Sequence, residues 1–173
     1  MPDRHGCLRM LIQHPCNPVL VFTWGNPSRG DDAIGPCIHD KLQAANLAGV
    51  DLQTDFQLQI EHAIDLENRE RILFVDASVS APPPFEFCEL TPNRDSSYTT
   101  HAMSPAALIS VYAQINDQLP PPSYILSVRG YDFELGLPLS EKAQKHVELA
   151  YSFILDLLLT RRGKNWQAPD LFI

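Results

Sequence analysis

Short apolar runs rich in β-formers alternate along this chain with stretches whose apolar residues recur at helical spacing. That alternation restricts it to a layered α/β fold. Val19 to Phe22 reads as a buried strand that ends in the turn-rich Gly25-Asn26-Pro27-Ser28. Pro36 suits the first turn of a helix carrying Ile38, Leu42 and Ala45, with Gly49 as its stop. Val50 to Leu58 reads as a second strand, Glu61 to Glu67 as a short helix, and Ile72 to Val75 as the most strand-like run in the sequence. Phe85 to Leu90 and Tyr124 to Val128 follow as strands. Between them Ser104-Pro105 opens a helix by cap and first-turn chemistry, with Leu108, Val111, Tyr112 and Ile115 on one face. A last helix starts near Ser140 and carries Val147, Ala150, Tyr151, Ile154, Leu157 and Leu158 in one stripe. The expected architecture is a three-layer α/β/α sandwich around a mostly parallel, roughly five-stranded twisted sheet.

The length of 173 residues fits one domain that buries enough surface to need no disulfide or metal for its core. The expected boundaries are an N-terminal extension at 1–17, a domain at 18–160 and a C-terminal tail at 161–173, both ends dispensable for folding. A formal charge of −8 gives no broad positive field, so neither nucleic acid nor an anionic membrane is an expected partner. Cys7, Cys16, Cys37 and Cys88 form no C-x-x-C pair and read as reduced thiols. With no signal-peptide run near Met1 and no apolar stretch of spanning length, a cytoplasmic protein is expected, monomeric and free of organic cofactors.

The segment from Gly25 to Gly35, Gly-Asn-Pro-Ser-Arg-Gly-Asp-Asp-Ala-Ile-Gly, joins the first strand to the first helix. Ligands of open α/β sheets bind at this carboxyl edge of the strands. The segment is not a phosphate loop, because G-x-x-x-x-G-K is absent and adjacent carboxylates repel phosphate. Glycines at 25, 30 and 35 also miss the dinucleotide spacing. The alternative is a solvated turn whose Asp residues cap the helix.

Asp76 closes the third strand in Phe74-Val75-Asp76-Ala77, at the same sheet edge as Asp32. His101, in Thr100-His101-Ala102-Met103-Ser104-Pro105, lies just before a helix. Each alone is compatible with a cap or a surface loop. Together, two carboxylates and one imidazole suit a divalent transition metal with open coordination positions rather than a closed zinc site. No G-x-S-x-G elbow occurs, no cysteine lies in an activating context, and H-E-x-x-H is absent.

These motifs in this order, Gly25-Asn26-Pro27 through Gly30-Asp31-Asp32-Ala33-Ile34-Gly35, then Phe74-Val75-Asp76-Ala77, then His101-Ala102-Met103-Ser104-Pro105, resemble the hydrogenase maturation endopeptidases. The resemblance spans Val19 to Leu158. Gln57-Leu58-Gln59-Ile60-Glu61-His62 is similar to the branch that processes soluble, pyridine-nucleotide-linked hydrogenases. Phe56, Gln57 and Leu58 are candidates for substrate contact or simply for ending a strand.

The resemblance implies an endopeptidase that removes the C-terminal extension of a nickel–iron hydrogenase large-subunit precursor already loaded with nickel. Asp32, Asp76 and His101 match the metal-engaging positions and are the implied catalytic residues. Asp31 neighbours the first of them, and Gly25 and Asn26 shape its loop. The nickel belongs to the substrate. It would serve as a recognition mark or as a Lewis acid that activates water, which needs no Ser or Cys nucleophile. The alternative is a non-proteolytic protein of the same fold that inspects or delivers nickel.

Overall fold

The computed structural model describes residues 17–92, 103–160 and 166. Five strands form a single sheet: β1 (Val19–Trp24), β2 (Val50–Asp55), β3 (Arg71–Ser78), β4 (Phe85–Leu90) and β5 (Ser123–Arg129). Their spatial order is β2-β1-β3-β5-β4, with every pair parallel except β4 against β5. The helices are α1 (Ile34–Ala45), α2 (Pro105–Asn116) and α3 (Glu141–Thr160).

The continuous apolar runs of β1 and β3 reflect burial on both faces. Leu20, Phe22, Ile72 and Phe74 point to one side, where they meet Leu108, Ile109 and Tyr112 of α2 and Leu66 of a 3-10 segment, Ile60–Leu66. Val19, Val21, Leu73 and Val75 point to the other, against Ile34, Ile38 and Leu42 of α1 and Val147, Ile154, Leu157 and Leu158 of α3. The sandwich therefore has the three layers expected. Phe85 and Phe87 alternate with exposed residues, as an antiparallel edge strand requires.

Local chemistry sets the boundaries. Ser104 accepts the Ala107 N–H at 3.1 Å, and Pro105 opens α2. α1 stops at Ala45 because Asn46 turns left-handed (φ 47°), before Gly49 is reached. β2 ends at Asp55 rather than Leu58, where the Asp55 carboxylate accepts the Phe56 N–H at 2.6 Å. The short helix near Glu61 is a 3-10 segment, begun by the Gln59 N–H donating to His62 Nδ1 at 3.0 Å. Ile115 is 67% exposed and lies off the buried face of α2.

Both expected terminal boundaries carry contacts into the domain. Asn17 donates through its side chain to Asp51 at 2.7 Å, and Arg69 donates to the Asn17 carbonyl at 2.8 Å. Trp166, inside the tail expected to be dispensable, is buried in the α1/α3-side core with its ring 5.2 Å from that of Tyr124. An aromatic ring docked there contributes to the core, so removal of 161–173 is expected to cost stability.

Candidate functional site

From β1 the chain turns to α1 on one face of the sheet. From β3 it proceeds through β4 to α2 on the other. Neighbouring parallel strands whose connections part to opposite faces leave a crevice at their carboxyl ends. Asp32 and Asp76 both belong to that edge.

The loop delivering Asp32 is folded hard against itself. Gly25 has φ +141°, and a Cβ there would collide with the Asp32 carbonyl oxygen. The Asn26 backbone N–H donates to Asp32 Oδ2 at 2.8 Å, while Asn26 Oδ1 accepts the Ser28 N–H at 2.9 Å. The Asp32 N–H reaches the Arg29 carbonyl at 3.1 Å. One oxygen of a partly buried Asp32 is thereby aimed by the loop backbone.

Asp76 continues the alternation Ile72, Phe74, Asp76 on the α2-facing side of β3. In β1, Leu20, Phe22 and Trp24 share that side. The register pairs Phe22 with Phe74 and Thr23 with Val75, so Trp24 and Asp76 are the next neighbours across the strands. Burial pushes the Asp76 carboxyl up to about 7. The Ala77 N–H pulls against this, the Asp32 charge adds to it, and a hydrogen bond from the Trp24 indole opposes it. The Asp32 charge thus acts on the Asp76 carboxyl as a like charge. Such a pair is relieved by a shared proton or by a cation.

Asp31 faces elsewhere. It is fully buried and accepts the backbone N–H groups of Tyr131 (2.7 Å), Asp132 (3.1 Å) and Ser140 (2.7 Å), plus the Ser140 hydroxyl (2.8 Å). Burial pushes its carboxyl up, but the bonds from Ser140, Tyr131 and Asp132 outweigh it and hold the group below the ordinary 3.8. With both oxygens engaged, Asp31 fastens the β5–α3 connection to the β1–α1 loop. Gly30 completes this junction, its N–H donating to Leu137 at 3.0 Å.

His101 lies outside the described residues. Among the described residues no three His, Cys, Asp or Glu side chains gather as a metal-holding group; Asp32 and Asp76 are two donors of the expected set. Two carboxylates are hard oxygen donors of the kind divalent cations take. His62 is committed to its own loop: Nδ1 accepts from Gln59, and Nε2 lies 3.3 Å from Asp55 Oδ2. Burial, then Asp40, pushes the Cys37 thiol up; burial, then Glu86, does the same to Cys88. Both favour the thiol over the nucleophilic thiolate.

Trp24, the cross-strand neighbour of Asp76, was not singled out by the sequence reading. Its signal was present in the strand alternation, which puts 20, 22 and 24 on the face shared with 72, 74 and 76 once β1 and β3 are neighbours.

No protein-family model matches the chain, and no curated protein matches it. Solved structures do. The [NiFe] hydrogenase maturation protease HycI from Thermococcus kodakarensis KOD1 superposes with a TM-score of 0.66 at 18% identity, over 82% of this chain and 92% of that one. The hydrogenase maturating endopeptidase HybD from E. coli gives 0.64 at 21%, over 84% and 93%. The hydrogenase 2 maturation peptidase from Thaumarchaeota archaeon SCGC_AB-539-E09 gives 0.60 at 24%, over 82% and 97%. At these identities the likeness is one of fold.

Proposed function

We propose that this chain is a hydrogenase maturation endopeptidase that removes the C-terminal extension of a nickel-loaded large-subunit precursor. The observation that supports the reading is that Asp32 and Asp76 belong to the same carboxyl edge of the neighbouring strands β1 and β3, where the Asp32 charge helps raise the Asp76 carboxyl. They are two of the residues to which the family resemblance assigns the substrate metal, in a chain of which 82–84% superposes on maturation proteases.

In this reading the nickel arrives with the substrate and is gripped by Asp32 and Asp76, with His101 as the third donor. Asn26 and the Gly25 turn hold Asp32 ready, so little rearrangement is spent on binding. A precursor without nickel offers nothing to grip and is rejected. A divalent ion polarises a neighbouring carbonyl and lowers the pKa of a water toward about 7, so hydrolysis proceeds without a Ser or Cys nucleophile.

The test is trimming of purified precursor, nickel-loaded and nickel-free side by side. Asp32→Ala, Asp76→Ala and His101→Ala are each expected to abolish cleavage. Cys37→Ala and Cys88→Ala are expected to retain it. Binding of loaded precursor without trimming would select the non-proteolytic, nickel-inspecting reading. Equal trimming of both substrates would remove nickel sensing and leave the peptidase.

A further inference from the structure

The loop that carries Asp32 is braced at both ends, and both braces carry exposed apolar side chains. At one end the Gly25 N–H donates to the Asp55 carbonyl at 3.1 Å. Phe56 follows immediately and is 66% exposed; Ile64, in the same β2–β3 connection, is 69% exposed, and Ile60 is exposed beside it. At the other end the Gly136 N–H donates to the Ser28 carbonyl at 2.8 Å, and the Gly30 N–H to the Leu137 carbonyl at 3.0 Å. Leu137 is exposed, and Leu135, beside Gly136, is 76% exposed. Leu58, by contrast, turns into the α2-side core and is withdrawn from any ligand. Single exposed apolar residues are ordinary on a protein surface. These are placed on the two segments hydrogen-bonded to the loop that aims Asp32. Neither core cluster includes them, so packing within the chain does not account for them.

We propose that these two apolar flanks determine specificity: they hold apolar side chains of the precursor polypeptide on either side of the bond to be cut. This rests on the function proposed above and adds to it what kind of chain the crevice selects. Each brace is bonded to one end of the Asp32 loop, so a polypeptide gripped at Asp32 is brought against both. A free metal ion or a small amide is too short to cover them and leaves them in water. Moving apolar surface out of water is favourable in proportion to the area covered and has no directional demand. The flanks therefore favour apolar neighbours of the cut without requiring one exact sequence.

Trimming kinetics of the full chain test this. Phe56→Ser with Ile64→Ser empties one flank, and Leu135→Ser with Leu137→Ser the other. Each double variant is expected to raise KM for nickel-loaded precursor about 10- to 100-fold with kcat kept, because the contacts it removes are made equally in ground and transition states. Where a double variant does not fold, Phe56→Ser or Leu135→Ser alone takes its place. Leu149→Ser, at an exposed leucine of α3, is expected to leave both constants unchanged. Wild-type KM in either flank variant overturns the proposal and leaves the peptidase standing, since a merely structural change lowers the active fraction instead. A wild-type dimer that either flank variant turns monomeric in sedimentation shows that a second copy of this chain covers the flanks, which also overturns it. Should the wild type bind loaded precursor without trimming it, the peptidase reading fails, and a calorimetric Kd raised in both flank variants upholds the flanks. A wild type that neither binds nor trims the precursor sinks both.

Discussion

Asp31 and Ser140 stand 109 residues apart in sequence, yet the carboxylate of the first accepts both the backbone N–H and the hydroxyl of the second, at 2.7 and 2.8 Å. With Tyr131 and Asp132 as further donors, this carboxylate ties the β5–α3 connection to the loop that carries Asp32. Ser140 also accepts the Ala143 N–H at 3.2 Å, so the same contact caps α3.

Removing the carboxylate strands a set of buried donors. Asp31→Ala is expected to cost about 3–5 kcal/mol, the range for breaking a buried charged network from one side. Ser140→Ala, which loses the hydroxyl but keeps the backbone donor, is expected to cost about 1–2 kcal/mol. Because the folded Asp31 carboxyl sits below its ordinary 3.8, its contribution is present above that pH and is lost as pH falls through the lower, folded value. Urea unfolding at pH 7 and below pH 4 measures both. An Asp31→Ala stability equal to wild type at pH 7 would refute this tie.

Two glycines with positive φ differ in what surrounds them. Gly25→Ala must push a Cβ into the Asp32 carbonyl oxygen, so the loop has to open and Asp32 must move. Gly136 has φ +87° with nothing within 4 Å of an added Cβ. Gly136→Ala is therefore expected to cost only the left-handed backbone penalty, about 1–2 kcal/mol, and to leave trimming intact. Gly25→Ala is expected to abolish trimming. Thermal unfolding and precursor trimming on the two variants make the comparison.

What sequence could reveal here follows from which interactions leave a side-chain signature. The strands and helices were legible because their apolar periods of two and near 3.6 are written in side chains, and the α2 start because Ser104-Pro105 is cap chemistry. Asp32 and Asp76 were legible as edge residues because one lies in the turn after β1 and the other near the carboxyl end of β3, although β3 runs on to Ser78 rather than closing at Asp76. The role of Asp31 was not, since three of its four donors are backbone N–H groups that any residue would supply. Trp24 was hidden for a different reason. Its partner is fixed by the β1–β3 register, a long-range pairing that no local pattern encodes. The early stop of β2 at Asp55 came from a side chain capping its own neighbour's N–H, which competes with the strand ladder.

Trp166, in the C-terminal tail, belongs to the core. It is 4% exposed, its ring is 5.2 Å from Tyr124 and 5.8 Å from the Arg71 guanidinium, and it lies with Leu157 and Leu158. Trp166→Ala is expected to cost about 3–5 kcal/mol, which for a chain of this size lowers Tm by roughly 10 °C. A chain ending at residue 160 should fall by at least as much. Calorimetry of the two against wild type decides it, and an unchanged Tm would restore the tail to dispensable status.

Asp76 gives the protein a pH dependence of opposite sign to that of Asp31. Its carboxyl is raised to about 7 in the folded state, chiefly by burial and further by Asp32. Between the ordinary 3.8 and about 7 the folded state therefore holds a proton that the unfolded chain has released. Stability must fall as pH rises through that window and level off above it. Asp76→Asn keeps the shape and the acceptor oxygen for Trp24 but never carries the charge. The variant should match wild type near pH 4 and become progressively the more stable of the two up to pH 7 to 8. Asp32→Asn should lower the Asp76 midpoint by removing the like charge, yet leave it above the ordinary carboxylate value because burial is the larger cause. Urea titrations across this range, with the Asp76 carboxyl carbon followed by NMR, report the two effects separately. A wild type and Asp76→Asn whose stabilities stay parallel from pH 4 to 8 would show that the crevice leaves Asp76 an ordinary, well-solvated carboxylate.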